Sequence, residues 1–462
     1  MNSTELPSIF LPPINRSMRE LDKSFFQKTV PLTAARLRDT KDANGVRTAL
    51  LKSEALLQIN GIKPFRDDPS SPGSKCLLLQ PSILASDRSS WPVELLALVD
   101  DQRVDVIDYA LHLTYDDWSF SNILDATVPQ TEELDETPTG FAQVGHVAHL
   151  NLRQKYQPYK HLIGQVILDK SNNTKTVISK TLDVGTKSQF RTFDYEVLAG
   201  PDDLNVETSE AGCQFKFNFA QVYWNTRLSH EHERLVQKFR KGEAVCDVMA
   251  GVGPFAVPAG KKGIFVCAND LNPASYEALQ WAIQRNKVSE YVQPFCADGR
   301  QFIRTASDMI RHEPFIVYPK IKVSRKLEPA AQERALIDFL AANPPIYRPS
   351  TFDHFVMNLP ATAIEFLDSF IGLYQTRDRE FQPHGDRNLP LIHVHLFQAR
   401  RESDREESEE IWSRISRYLE FELRNGQKDQ ELHYVRLVAP NKKMYCATFR
   451  LPPEVAFATR KP

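Results

Sequence analysis

Asp247-Val248-Met249-Ala250-Gly251-Val252-Gly253, with a second acid in Ala268-Asn269-Asp270-Leu271-Asn272-Pro273, is the stretch on which the fold turns. An acid closing one apolar strand, a glycine-rich turn and an acid closing the next strand make a nucleoside site. Glycine lets the backbone approach a ligand because no Cβ intervenes. An acid about 20 residues after the turn is where a ribose diol is held. The expected fold class is therefore α/β, with a Rossmann-like sheet.

Gly251-Val252-Gly253-Pro254-Phe255-Ala256 satisfies G-x-G-x-x-A, which by itself suits a dinucleotide. Two details favour S-adenosylmethionine. Pro254 removes a backbone N–H where a pyrophosphate needs donors. Asp247, at the end of the apolar run Ala244-Val245-Cys246, suits the ammonium of a methionine moiety and repels a pyrophosphate. A plain strand–turn–helix with a capping acid is the structural alternative.

Working outward, Tyr291 to Arg300 reads as a short strand ending in Asp298-Gly299, where an acid can accept from an adenine amino group or simply make a turn. Phe352 to Pro360 places Asn358-Leu359-Pro360 at another strand end. Ligands of open α/β sheets collect outside the carboxyl ends of strands. Enzymes that methylate exocyclic amines often carry Asn-Pro-Pro-Tyr here. This chain has Ala361 after Pro360 and its next aromatic only at Phe366, which favours a ring-nitrogen acceptor. A protonated ring nitrogen needs a base and a donor for the charge growing on the neighbouring oxygen. Ser229 followed by Glu231 and Glu233 looks like a helix start. From spacing alone, either acid serves equally as the base or as a solvated helix-start acid.

Longer stretches carry a family resemblance. Leu11-Pro12-Pro13-Ile14-Asn15-Arg16-Ser17-Met18 with Leu21-Asp22, Val144 to Arg153, Phe190-Arg191-Thr192-Phe193, Glu196 to Gly200, and Val222-Tyr223-Trp224-Asn225 with Arg227-Leu228 and Glu231-His232 resemble the archaeal and eukaryotic tRNA (guanine-N1)-methyltransferases acting at tRNA position 37. The resemblance covers nearly the whole chain. It implies a class I, S-adenosylmethionine-dependent catalytic domain preceded by smaller α+β modules. Its activity would be methyl transfer to N1 of guanosine 37, also the first step toward wybutosine in tRNA(Phe). Glu231 would be the general base, Arg191 the arginine that steadies guanine O6, and Asn358 the residue that orients the base and closes the donor pocket. His232, Asp247, Met249, Gly251, Gly253, Asp270, Leu271, Asp298 and Gly299 would contact the donor. Without the resemblance, Arg191 reads as a surface arginine. The implied partner is tRNA, held at the anticodon stem-loop and at its outer corner, with the target base leaving its stack. No metal is needed, because a sulfonium is already an activated electrophile, and a monomer is expected. The alternatives are a related transferase building tricyclic guanosine derivatives, a dinucleotide-dependent oxidoreductase, and an inactive RNA-binding relative.

Composition is compatible but does not choose between these. The chain has 462 residues, 42% of them hydrophobic, and a formal net charge of −2, so no global basic footprint announces nucleic acid. Locally, residues 151 to 195 hold eight Lys/Arg against Asp169, Asp183 and Asp194, which suits phosphates or a solvated sheet face. The six cysteines show no C-x-x-C spacing, as expected of reduced thiols without a zinc site. His393 and His395 alternate along a strand and, without a third ligand, are expected to be structural. No apolar run approaches a membrane span. Acids at Glu5, Glu20 and Asp22 argue against a strong transit peptide, whereas the resemblance implies cytoplasm, with mitochondrial matrix and nucleus as well. The expected organisation is a tRNA-recognition region at 1–138 ending in the acidic linker Thr131 to Pro138, a small α+β module at 139–222, and the methyltransferase domain at 223–462. That domain carries an insertion at about 313–350 and a charge-dense helix start or loop at 400–410.

Overall fold

Gln27–Leu37 (β1) alternates exposed and buried residues before a buried run at residues 32–35, as in an antiparallel strand with one face on a core. It pairs antiparallel along its whole length with Val104–Thr114 (β4), and on its other edge with Lys75–Leu78 (β3), beside Phe65–Asp67 (β2). A second small sheet follows: Ala142–Val144 (β5), Val147–Leu150 (β6), Thr176–Lys180 (β7) and Tyr195–Ala199 (β8), in that order. The computed structural model describes residues 6–129, 140–180, 190, 192–313, 315–318, 329–342, 344–385, 387–423, 426 and 429–459. Arg191, Lys187 and the acidic stretch at 131–138 lie outside these residues, as do 314, 319–328 and 343 of the expected insertion.

Two compact units result, where the sequence suggested three regions. The first joins 1–143, 147–180 and 196–202, and its core includes Phe26, Trp118, Ile163 and Val166. The second comprises 144–146, 181–195 and 203–462. Residues 139–222 are thus shared between the units. The hairpin Asn205–Glu210 (β9) and Cys213–Asn218 (β10) belongs with the catalytic sheet, where Asn286 caps it by accepting from Gln214 N and donating to Gln214 O.

That sheet contains Ala244–Asp247 (β11), Phe265–Asn269 (β12), Val292–Phe295 (β13), His354–Met357 (β16), Leu391–Ala399 (β17), Glu431–Ala439 (β18) and Lys442–Arg450 (β19). The order is β13-β12-β11-β16-β17-β19-β18. The first five run parallel, β19 runs antiparallel to β17, and β18 runs antiparallel to β19. β11, β12 and β16 are buried at every position, which a parallel sheet covered on both faces demands. Asp247, a carboxylate in such a strand, is the exception needing an explanation. The insertion is closed at its base by a two-strand ladder, Ile316–Val317 (β14) with Ile346–Tyr347 (β15), and contains a helix, Pro329–Ala342. The charge-dense stretch at 400–410 is a helix start: Ser403 caps Asp404–Leu419, and Arg401 and Lys443 hold its acids.

Candidate active site

The chain leaving β11 turns toward β12, whereas the chain leaving β16 turns toward β17, so a crevice opens between two neighbouring strand ends. Asp247 ends β11 and Asn358 follows β16. A cavity of about 120 Å³ lies there. Met249, Gly251, Asp270, Leu271, Asp298, Gly299 and Asn358 line it, all of them expected from sequence.

The turn is held from within. Gly251, at φ +56°, faces open space and donates its N–H to Asp270 Oδ2 at 2.8 Å. Gly253, at φ +95°, does a different job: a Cβ there would meet Leu279 at 2.6 Å, so it serves packing and does not line the cavity. Asp298 caps the helix Gly299–His312, accepting from Arg300 N at 2.9 Å and Gln301 N at 3.2 Å. Burial raises the Asp270 carboxyl above its ordinary range, against the Asn272 and Gly251 amides that lower it.

Asp247 is completely buried and neither carboxylate oxygen finds a hydrogen-bond partner among the described residues. Burial, reinforced by neighbouring Asp270, pushes its pKa up to about 8 against the opposing pull of His395. An unpaired buried carboxylate is costly and calls for a cation or donor. Asn358 Oδ1 is likewise buried and unpartnered among the described residues. Asn358 lines the cavity and Asp247 directly precedes its lining residue Val248, so the set of an unpaired acid, Asp270, Asp298 and Gly299 has the chemistry to hold S-adenosylmethionine.

The other expected residues lie elsewhere. His232 does not line the cavity; its Nδ1 meets Glu210 Oε1 at 2.5 Å and its ring packs edge-on against Phe255. Glu231 does not line it either. Its buried carboxylate accepts from Arg234 Nε at 2.6 Å, Arg234 Nη2 at 2.8 Å and His395 Nε2 at 2.7 Å. Burial alone would raise its pKa, but Arg234 and His395 together outweigh that and hold it at about 2. Glu233, the other acid left open by spacing, accepts from Gln237 at 3.3 Å on the outer face of the helix. Arg191 falls outside the described residues, so its approach to guanine stays an expectation.

Sequence reasoning missed several contributors. Asn269 ties three strand ends together, donating to Val248 O at 3.1 Å and Ala297 O at 2.9 Å while accepting from Ala297 N at 2.9 Å. Its place directly before Asp270 was the available signal. Phe366 lines the cavity because the 3-10 segment Ala363–Phe370 folds back onto Gly299, with Arg300 4.4 Å above its ring. Of the adjacent aromatics of the resemblance motif, Tyr223 lines the cavity, while Trp224 packs on Phe215 and Phe217 of the hairpin.

Known proteins resemble this chain throughout. Its whole length aligns with the tRNA (guanine(37)-N(1))-methyltransferase of Aspergillus fumigatus at 48% identity, covering 99% of this chain and 97% of the relative. The chain belongs to the tRNA (guanine(37)-N(1))-methyltransferase family. The Schizosaccharomyces pombe enzyme of that name is 43% identical, with 96% of each chain covered. Family models described as "TYW2 N-terminal domain" and "TRM5/TYW2 methyltransferase domain" match residues 120–203 and 206–317. Two solved structures share the fold over about nine-tenths of the chain: Trm5b from Pyrococcus abyssi, at TM-score 0.54, 22% identity and 99% of that chain covered, and aTrm5 in complex with tRNALeu, at TM-score 0.58, 18% identity and 99% covered. Family membership sets aside the dinucleotide oxidoreductase and supports the class I methyltransferase fold that the resemblance implied. Among the described residues, no helix is long and apolar enough to cross a membrane.

Proposed function

We propose that this chain transfers a methyl group from S-adenosylmethionine to N1 of guanosine 37 in tRNA. The observation that carries the donor half is the pair of orphaned buried groups, on Asp247 at the end of β11 and on Asn358 in the crevice lining. Support for the acceptor comes from whole-chain relatives that bear the guanine-N1 name.

A bound sulfonium supplies a methyl carbon already activated for attack. The chain's residues do the rest. Asp247 receives the ammonium, Asp270 the ribose hydroxyls, and Asp298 with Gly299 the adenine end. Asn358 orients the guanine ring. Glu231 takes the N1 proton as the N1–methyl bond forms and the carbon–sulfur pair returns to sulfur. Arg191 donates to O6, where a fixed guanidinium charge opposes the developing oxyanion. For this role the Glu231 carboxylate must exchange at least one of its present partners, because an acid held near 2 is a weak proton acceptor.

Labelled methyl transfer to unmodified tRNA transcripts, followed by nucleoside analysis, tests the proposal. N1-methylguanosine from the wild-type transcript and none from a transcript with adenosine at position 37 is expected. Label in any other nucleoside overturns it.

A further inference from the structure

His395 lies on β17, opposite Cys446 of β19 in the antiparallel register, and none of its surface reaches solvent. Its neighbour two residues back, His393, is fully engaged: Nε2 with His354 at 3.0 Å and Nδ1 with Thr448 at 2.9 Å. His395 instead crosses 164 positions of sequence to meet Glu231 Oε1 at 2.7 Å. The groups facing it are Glu231, with Arg234 behind it, from the helix Ser229–Lys238; Cys446 from β19; Asp247 from β11; and His393 on its own strand.

Resting on the reading of Glu231 as proton acceptor, we propose that His395 is a positioning residue for methyl transfer, fixing that carboxylate from the sheet while Arg234 fixes it from its own helix. The two anchors differ in what they tie the carboxylate to. Arg234 is an i,i+3 neighbour and moves with the helix that carries Glu231. His395 refers the carboxylate to the sheet at hydrogen-bond distance, with His433 of β18 farther off at 3.6 Å, and the strand ends of that sheet border the donor crevice. A buried acid in one geometry keeps its distance to the methyl carbon, and displacements near 1 Å cost about a hundredfold in rate. Glu231, His395 and Cys446 together offer donor types suited to zinc. The Arg234 guanidinium on the same carboxylate opposes a second cation there, which favours the positioning role.

The test is single-turnover methylation at saturating donor and tRNA with H395F, H395Q, E231Q and the E231Q/H395F double variant. H395F should slow the step about tenfold or more while donor affinity, read by calorimetry, changes less than about threefold. H395Q keeps a neutral amide donor near the Nε2 position and should recover most of the rate. On the E231Q background, H395F should add little further loss, because it acts through the missing carboxylate. A full-rate H395F, or equal and independent losses in the double variant, overturns the positioning role while E231Q stays slow. A full-rate E231Q instead removes the base assignment itself. Should H395F fail to fold, the H395Q rate and its coupling to E231Q decide the matter in the same way.

Discussion

Asp247 and Glu231 are both buried carboxylates in the catalytic unit, yet they stand in opposite electrical conditions. Asp247 has no partner among the described residues and is pushed up to about 8, by burial and by Asp270. Glu231 is gripped by a guanidinium and an imidazole and held at about 2, against its own burial. The contrast separates two ways of using a buried charge. One acid is left incomplete by the fold and, under the proposed function, is completed by a ligand. The other is completed by the fold and must be partly released to react.

The sharpest way to break this contrast is E231Q, which should reduce single-turnover methylation roughly 10²–10⁴-fold while tRNA affinity changes little. A large affinity loss with an unchanged chemical step would return Glu231 to a purely structural role. D247N should weaken donor binding by about tenfold to a hundredfold in calorimetry, the scale of a charged hydrogen bond; unaltered affinity would detach Asp247 from the ammonium. D270A should weaken it by about tenfold, since the ribose and the Gly251 amide share that carboxylate. The pH dependence sharpens the contrast further. With a pKa of about 8, Asp247 is mostly protonated at pH 7 without donor, so ammonium binding should release up to about one proton. Calorimetry in buffers of different ionisation enthalpy reads that release, which should vanish as pH rises through 8. Stability follows opposite signs at the two acids. Folding raises Asp247 from its ordinary 3.8, so its contribution falls as pH climbs toward 8. Folding lowers Glu231 from its ordinary 4.5, so its contribution is whole above that value and lost as pH falls toward 2. The smallest effect separates the two glycines: G253A should cost about 1–3 kcal/mol of stability by overpacking, whereas G251A, facing open space, should disturb donor binding more than unfolding.

Much of the donor end was legible because its chemistry is local. Asp247, Gly251, Asp270 and Asp298 each sit where an apolar run stops and a turn begins, and strand ends can be read from a few neighbouring residues. Phe366 was visible but seemed too distant from Asn358, since spacing does not show that Ala363–Phe370 doubles back. The partners of Glu231 were only half legible. Arg234 is a helical neighbour, but His395 arrives from another strand, and no periodicity links positions so far apart. The His393–His395 alternation was noticed and read as structural for want of a third group; that group was an acid on a distant helix. The two compact units differ from the three regions expected for a related reason. Strands β5 to β8 and the β9–β10 hairpin adjoin in sequence, but each goes to the sheet or helix that buries it.

Asn269 gives the donor crevice its gauge. One short amide bonds to Val248 after β11 and to Ala297 after β13, from its own place on β12. The spacing between those loop tips is therefore set by the reach of a single side chain. Aspartate at this position would keep the acceptor and lose both donors, and a longer glutamine would spread the tips. Selectivity for one nucleoside over a slightly larger one is, on this view, a matter of how far an asparagine can stretch.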